Sequence, residues 1–282
     1  MACPAGKRGR LAPAWGGGYK FLVRSLSFLG TGPGAPVPGR FFSSCLLRVG
    51  GMGLLIDAGE PCSQRLREAG IPTGAIDAVL VTHGHSDHIG GLPMLLQAAW
   101  LEPRTRPLQL CLPNELIDPL QAWLSAVYLP AHLLGFPVNF SPWEAGRVIS
   151  LGPQVSVTPS PTTHLESLGR LIDKRAIERF KVFALDLRCQ DLRVVFSADL
   201  GHPTDLEALL ATPCDVLVCE LSHFSPDELF HFLEGKSIGR LVLNHLAPGL
   251  AGREQMLVAQ AQRALPEVKE VVIPRDGEMV DF

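Results

Sequence analysis

Short apolar runs, punctuated by glycine, proline and polar residues, dominate the pattern along the chain. The run at 21–30 ("FLVRSLSFLG") predicts a strand, and the runs on either side of Gly50 and Gly51 predict a hairpin. The stretch at 76–83 ("IDAVLVTH") is almost continuously apolar, as in a buried strand. A second hairpin is predicted around 189–191, between "VFALDLR" and "LRVVFSADL". Strands therefore come first in the predicted order.

Helical patterns alternate with strands in the last third of the chain. Ser225 with Glu228 forms a capping-box pattern, and Thr204 with Glu207 forms another, so each pair predicts the start of a helix. Residues 253–265 carry their apolar positions on one helical face. Between these helices, "DVLVCEL" and "GRLVLNH" are typical of buried strands.

This order of elements predicts an α/β fold in which two sheets pack on each other with helices outside. No repeat and no linker interrupts residues 21–282, so we expect one domain there. Residues 1–20 are rich in glycine, proline and alanine and contain no acidic side chain. We expect them to form a leader without ordered structure.

Composition narrows the class of protein. The 282 residues are 46% hydrophobic with a net charge of −3, which allows a sizeable core and argues against a dedicated groove for long nucleic acids. No apolar run approaches the roughly 20 residues of a membrane helix. The seven cysteines form no CxxC pair, so they indicate buried thiols in a reducing cytoplasm rather than disulfides or a cysteine-based zinc site.

Four metal-capable side chains lie within six residues, directly after the apolar run that ends at Val81. They are His83, His85, Asp87 and His88, in an H-x-H-x-D-H pattern. A strand end gives the first ligands fixed positions, and imidazole with carboxylate suits zinc, while manganese or iron would also be accepted. The pattern predicts a metal site rather than a plain surface loop.

One loop cannot complete a site for two metals, so further ligands are expected at the ends of later strands. His164, Asp199 and His245 each follow an apolar run. Taken singly, His164 could cap a turn, Asp199 could cap a helix and His245 could be a core histidine. Their shared position at strand ends favours ligands.

These motifs resemble the metallo-β-lactamase superfamily and, within it, the ribonuclease Z-like branch. The resemblance covers most of residues 21–282 and implies a four-layer αββα sandwich with a dinuclear metal site on the sheet edges. It rests on "LGTG" (29–32), "SSCLLRVGG" (43–51), "LLIDAGE" (54–60), "VTHGHSDHIGGLP" (81–93), His164, "FSADLG" and "LNH".

The resemblance also implies roles for the residues at this site. Two divalent metal ions, zinc first, would flank a hydroxide that attacks the substrate. The implied ligands are His83, His85 and His164 for one metal, Asp87, His88 and His245 for the other, and Asp199 as the bridge. In this branch a glutamate and a following histidine assist proton transfer, and Glu220 and His223 match them.

We therefore assign Asp87, Glu220 and His223 to catalysis. The alternative for Glu220 is a structural anchor for a histidine, and the alternative for His223 is a neighbour of the cap of the next helix. A histidine oriented by a carboxylate is well suited to protonate a departing oxygen.

One departure from the ribonuclease Z pattern bears on the substrate. The long glycine- and proline-rich arm that grips tRNA in that branch is missing, because His164 and Asp199 are only 35 positions apart. A small phosphodiester or an RNA end is therefore expected rather than whole tRNA.

The alternatives to a phosphodiesterase are a thioester or lactam hydrolase, a redox di-metal protein and a non-catalytic scaffold. The family commonly dimerises, so a homodimer is possible.

Overall fold

The computed structural model describes residues 24–172 and 179–282, so the leader predicted for residues 1–20 lies outside the described part. Fourteen strands are found in these ranges, and they form two sheets of seven. In chain order the strands are β1 (Ser25–Gly30), β2 (Ser44–Val49), β3 (Met52–Ile56), β4 (Ala78–Leu80), β5 (Leu108–Pro113), β6 (Val138–Trp143), β7 (Ile149–Gly152), β8 (Val155–Thr162), β9 (Val182–Cys189), β10 (Leu192–Phe196), β11 (Cys214–Leu221), β12 (Ile238–Leu246), β13 (Glu270–Val272) and β14 (Met279–Asp281).

Each sheet is mixed, with antiparallel strands on one side and parallel strands on the other. The first sheet has the order β14-β1-β2-β3-β4-β5-β6, and β3 to β6 are parallel. The second sheet has the order β13-β12-β11-β10-β9-β8-β7, and β10 to β13 are parallel. The C-terminal β14 pairs with β1, so the chain's last strand completes the first sheet.

Helices cover the outer faces of both sheets. The α-helices in the described ranges are α1 (Cys62–Glu68), α2 (Ser86–Ile89), α3 (Leu92–Leu101), α4 (Ile117–Ala126), α5 (Glu166–Ile172), α6 (Pro226–Leu233) and α7 (Glu254–Ala264). Apolar residues of α1, α3 and α4 pack on the first sheet, and those of α6 and α7 pack on the second. No helix in the described ranges has the length and apolar character needed to cross a membrane.

Alternation along the strands builds the sandwich. In β2, Leu47 faces the other sheet while its neighbour Leu46 faces the helices, and both are buried. In β3, Leu54 and Leu55 divide in the same way. In β10 of the second sheet, Val194 lies in the core between the sheets and Val195 in the core under the helices. Both sheets therefore bury apolar residues on both faces, and the predicted αββα sandwich is confirmed.

The two predicted capping boxes have different outcomes. At Ser225 the box is present, since its hydroxyl accepts from the amide of Glu228 and α6 begins at the next residue. At Thr204 the prediction is wrong, because a 3₁₀ turn, Pro203–Leu206, is capped two residues earlier by His202. The fixed φ of proline favours the first helical position, and it sets the start of this turn.

The strand ends bring the predicted site residues to one place. In a parallel arrangement the carboxyl ends of strands lie at the same edge of a sheet. The first sheet delivers the loop after β4 to this edge, and the second delivers the ends of β8, β10 and β12. These ends carry all seven predicted metal ligands.

Candidate metal centre

A first group of metal-capable atoms joins the two sheets. His83 and His85 come from the loop after β4, His164 follows β8, and Asp199 follows β10. One ligand atom from each of these residues lies within 4.8 Å of those of the others. Asp199 Oδ2 is 3.9 Å from His83 Nε2 and 3.7 Å from His164 Nε2.

A second group lies on the other side of Asp199. Asp87, His88 and His245 each offer an atom within 4.8 Å of the other two. His88 Nε2 is 3.4 Å from Asp199 Oδ1, and His245 Nε2 is 3.4 Å from Asp199 Oδ2. The structure thus brings all seven predicted ligands together, with the Asp199 carboxylate between the two groups.

The donor set fits divalent metal ions. Within the described residues, no hydrogen-bond partner is found for the buried Nε2 atoms of His83, His88 and His164. The carboxylate oxygens nearest His88 Nε2, at 3.3 and 3.4 Å, lack hydrogen-bond geometry. A buried polar atom without a partner costs about 1–3 kcal/mol, whereas a bound cation would use these lone pairs.

Burial and charge set the protonation of these groups. Burial lowers the pKa of His83 well below its usual value and lowers the pKa of His164 to about 4. Burial opposes ionisation of Asp199, but His245 and His88 outweigh it and hold the pKa of this carboxyl well below its usual range. His83 and His164 therefore present the neutral nitrogens that bind a metal. Burial also opposes charge on His88, but Asp199 and Asp57 outweigh it and raise the pKa of His88 well above its usual value, so a metal ion would have to displace that proton.

Backbone strain is concentrated at the same edge. Asp57, Ala198 and His245 have positive φ angles of 57°, 52° and 50°. Such conformations cost about 1–3 kcal/mol each in residues other than glycine. Ala198 directly precedes Asp199, and His245 sits at an irregularity of β12 where the pairing passes from Asn244 to Leu246. The irregularity frees His245 from the ladder and lets it reach the cluster.

Sequence reasoning gave no role to Asp57, which follows β3. Its Oδ2 lies 2.7 Å from His88 Nδ1, and its Oδ1 accepts from the Thr82 amide at 2.8 Å. The Thr82 hydroxyl also contacts His83 Nδ1 at 3.1 Å. A partner on Nδ1 fixes the orientation of an imidazole whose Nε2 faces a metal. The sequence offers one signal for Asp57, since it is an acidic residue directly after a buried strand. That signal does not identify His88 as its partner.

Glu220 and His223 form a second carboxylate–imidazole pair beside the cluster. Glu220 is buried at the end of β11, and its Oε1 lies 2.7 Å from His223 Nδ1. The Glu220 carboxylate also accepts from the amides of Leu200, Ser222 and His223. The His223 ring centroid is 4.3 Å from that of His164. Burial opposes charge on His223, but the hydrogen bond to Glu220 and the charges of Glu220 and Asp199 together outweigh it and raise the pKa of His223 above the usual value.

Close backbone packing surrounds Asp87. A Cβ atom at Gly59 would lie 2.2 Å from the Asp87 carbonyl oxygen, and one at Gly34 would lie 3.2 Å from its Oδ2. Gly59 therefore allows the segment after β3 to pack directly on the ligand loop. Gly34 places the loop after β1 over the carboxylate of Asp87.

A family model described as "Anti-Pycsar protein Apyc1" matches residues 24–231. The chain belongs to this family. Ribonuclease Z of Mycolicibacterium paratuberculosis is 29% identical over 262 residues, which are 84% of this chain and 91% of that protein. Ribonuclease Z of Lachnoclostridium phytofermentans is 38% identical over 112 residues, which are 40% of this chain and 36% of that protein.

Among solved structures, the metallo-β-lactamase fold protein YhfI from Bacillus subtilis has a TM-score of 0.73 at 19% identity. The comparison covers 92% of this chain and 100% of YhfI. This likeness confirms the fold, and the ribonuclease Z relatives place this Apyc1-family chain in the ribonuclease Z-like part of the metallo-β-lactamase superfamily. The expected metal-dependent hydrolase of phosphodiesterase type is confirmed, and the thioester, lactam and redox alternatives are not favoured.

Proposed function

We propose that this chain holds two divalent metal ions, zinc first with manganese or iron as alternatives, and hydrolyses a small phosphodiester or an RNA end. The position of Asp199 carries the proposal. Its two oxygens lie 3.4–3.9 Å from imidazole nitrogens of both groups of ligands, which is the arrangement expected of a bridging carboxylate.

The residues divide into two ligand sets. His83, His85 and His164 would hold one ion, Asp87, His88 and His245 would hold the other, and Asp199 would contact both. Ions held by these residues would supply an activated water molecule for attack and would polarise the phosphoryl oxygen. Burial opposes ionisation of Asp87 and Asp199, but the neighbouring histidines hold the pKa of both carboxyls below the usual value, so both would meet the cations as carboxylates. Asp57 holds the His88 ring through Nδ1.

His223 is placed to give a proton to the departing oxygen. Glu220 fixes its Nδ1, so the other ring nitrogen is left for the substrate. Because the pKa of His223 is raised, its protonated form persists to higher pH than that of a free histidine. Glu220 is a positioning residue in this scheme, since three backbone amides and His223 already occupy its carboxylate.

The small spacing between His164 and Asp199 supports a small substrate. They are only 35 positions apart, and the stretch between them includes α5, β9 and β10. Little chain remains for an arm that could grip a folded RNA. A phosphodiester with short arms, or the exposed end of an RNA, fits this site.

Two further expectations remain part of the proposal. The described cysteines are all buried free thiols, as expected for a protein of the reducing cytoplasm. Fractionation of the source cells would test that location.

A homodimer is expected from the resemblance to the ribonuclease Z-like branch, and light scattering of the purified protein would test it.

Hydrolysis of bis-p-nitrophenyl phosphate tests the function. Purified full-length protein should release p-nitrophenolate, lose this activity after chelation, and recover it when zinc or manganese is restored. His132→Ala provides a matched control, because His132 lies between β5 and β6 in sequence and outside the cluster. Metal-loaded protein that hydrolyses neither this ester nor RNA ends would contradict the proposal.

A further inference from the structure

A cleft of about 500 Å³ adjoins the ligand loop on the side of α4. We call it the α4 cleft. It is lined by the loop residues Gly84, His85 and Ser86 and by Leu116, Pro119 and Trp123 at and within α4. Its volume lies within the roughly 300–1,000 Å³ of small-molecule sites. Part of its wall is formed by His85, a predicted metal ligand, so the cleft lies directly beside the metal centre.

The sequence of α4 builds the other wall. Leu120 and Leu124 are buried on the first sheet, whereas Pro119 and Trp123, four positions apart, share the face toward the cleft. Leu116 packs against the ligand loop, where a Cβ at Gly84 would lie 2.8 Å from Leu116 Cδ2. Trp123 is 38% exposed, which leaves its ring available to a ligand.

A second cleft of about 340 Å³ also adjoins the cluster. Its lining includes Thr163, His164, Gly201 and His223. The His164 ring has its centroid 5.3 Å from that of His85, which lines the α4 cleft, and 4.3 Å from that of His223, which lines the second cleft. With His223 as the proton donor proposed above, the leaving arm of a phosphodiester centred on the cluster would lie at the second cleft. The α4 cleft beside His85 is then left for the retained arm.

We propose that the α4 cleft binds a planar aromatic ring on the retained arm of the phosphodiester, with Trp123 stacking on that ring. The inference rests on the proposed function. A tryptophan, a proline and a leucine offer flat apolar surface. An aromatic ring that stacks on such a surface gains affinity, and this gain does not depend on the pattern of polar groups on the ring.

Two esters with the same leaving group test the proposal. Thymidine 5′-p-nitrophenyl phosphate carries a planar base on the retained arm, and methyl p-nitrophenyl phosphate carries none. The metal-loaded protein should show a higher kcat/KM for the thymidine ester. Trp123→Ala should lower that preference about tenfold, a typical loss for one stacked base, and Trp123→Phe should lower it less. Trp100→Ala, an exposed tryptophan on α3, should leave the preference unchanged.

A binding measurement separates recognition from turnover. In calorimetry, Trp123→Ala should weaken binding of thymidine 5′-phosphate relative to inorganic phosphate. An unchanged ratio of kcat/KM for the two esters would overturn the proposal. If that unchanged ratio came with lower rates on both esters and a change of mass in light scattering, Trp123 would serve contact with a second copy instead. Loaded wild-type protein inactive on both esters would instead contradict the proposed function, and this inference with it.

Discussion

His88 and His223 are each held by a buried carboxylate, one in each sheet. His88 Nδ1 lies 2.7 Å from Asp57 Oδ2, and His223 Nδ1 lies 2.7 Å from Glu220 Oε1. Their surroundings differ. The His88 side chain is 2% exposed, and its Nε2 faces Asp87 and Asp199, whereas the His223 side chain is 32% exposed beside a cleft.

The difference shows that the carboxylate partner alone does not decide what a histidine does. In both pairs the carboxylate fixes the ring through Nδ1. The surroundings of the other nitrogen then set the role. A ring nitrogen enclosed by further metal-capable groups suits metal binding, as in His88. A ring nitrogen open to a cleft suits proton transfer, as in His223.

The largest effect is expected at Asp199, which faces both ligand groups. Asp199→Ala should remove the bridging carboxylate and abolish hydrolysis of bis-p-nitrophenyl phosphate. Asp199→Asn keeps the shape but loses the charge, and it should also be inactive. Steady-state assays with a circular dichroism check of folding measure this. Wild-type turnover in a folded Asp199→Ala protein would rule out the dinuclear model.

His223→Ala should act on turnover and leave metal binding in place. Loss of a general acid lowers rates about 10²–10⁴-fold when the leaving group needs a proton. The loss should be marked for an alkyl leaving group and much smaller for p-nitrophenolate, which departs without one. Paired assays with the two leaving groups measure it. Equal losses with both would show that His223 has another role.

Asp57→Asn should act on metal binding. Loss of the carboxylate behind a ligand histidine lowers metal affinity about 10–100-fold. Competition with a chromogenic chelator measures the change. Glu220→Gln is the matched variant from the second sheet, and it should slow turnover while metal affinity stays near that of the wild type. If Asp57→Asn and Glu220→Gln changed metal affinity equally, the Asp57–His88 and Glu220–His223 pairs would not have the different roles assigned to them.

The smallest effect is expected at the helix that follows His223. Ser225→Ala removes the cap of α6 and should lower the free energy of unfolding by about 1 kcal/mol. Turnover should stay close to that of the wild type, because Glu220 holds the His223 ring. Urea denaturation measures the stability, with the exposed Ser125→Ala in α4 as control. A large loss of turnover would show that α6 also positions His223.

The sequence patterns that carried most information were local ones. His83, His85, Asp87 and His88 lie within six residues, so their shared function could be predicted from spacing alone. His164, Asp199 and His245 needed the alternation of strands and the family resemblance, because their proximity depends on the second sheet.

Other features depended on contacts across the chain. Asp57 and His88 are 31 positions apart, and the motif "LLIDAGE" does not indicate that Asp57 contacts His88. At Thr204, local spacing matched a capping box, but Pro203 and His202 set the start of the turn instead. The α4 cleft could not be predicted from local patterns either, since Trp123 and the ligand loop are distant in sequence and meet only in the folded chain, where Leu116 packs on Gly84.

The number of divalent ions bound per chain tests the central claim most directly. Equilibrium dialysis of the full-length protein against zinc, followed by elemental analysis, should give two ions per chain, and Asp199→Ala should retain fewer than two. One ion or none in the wild-type protein, or two in Asp199→Ala, would contradict a centre in which Asp199 joins ligands from both sheets.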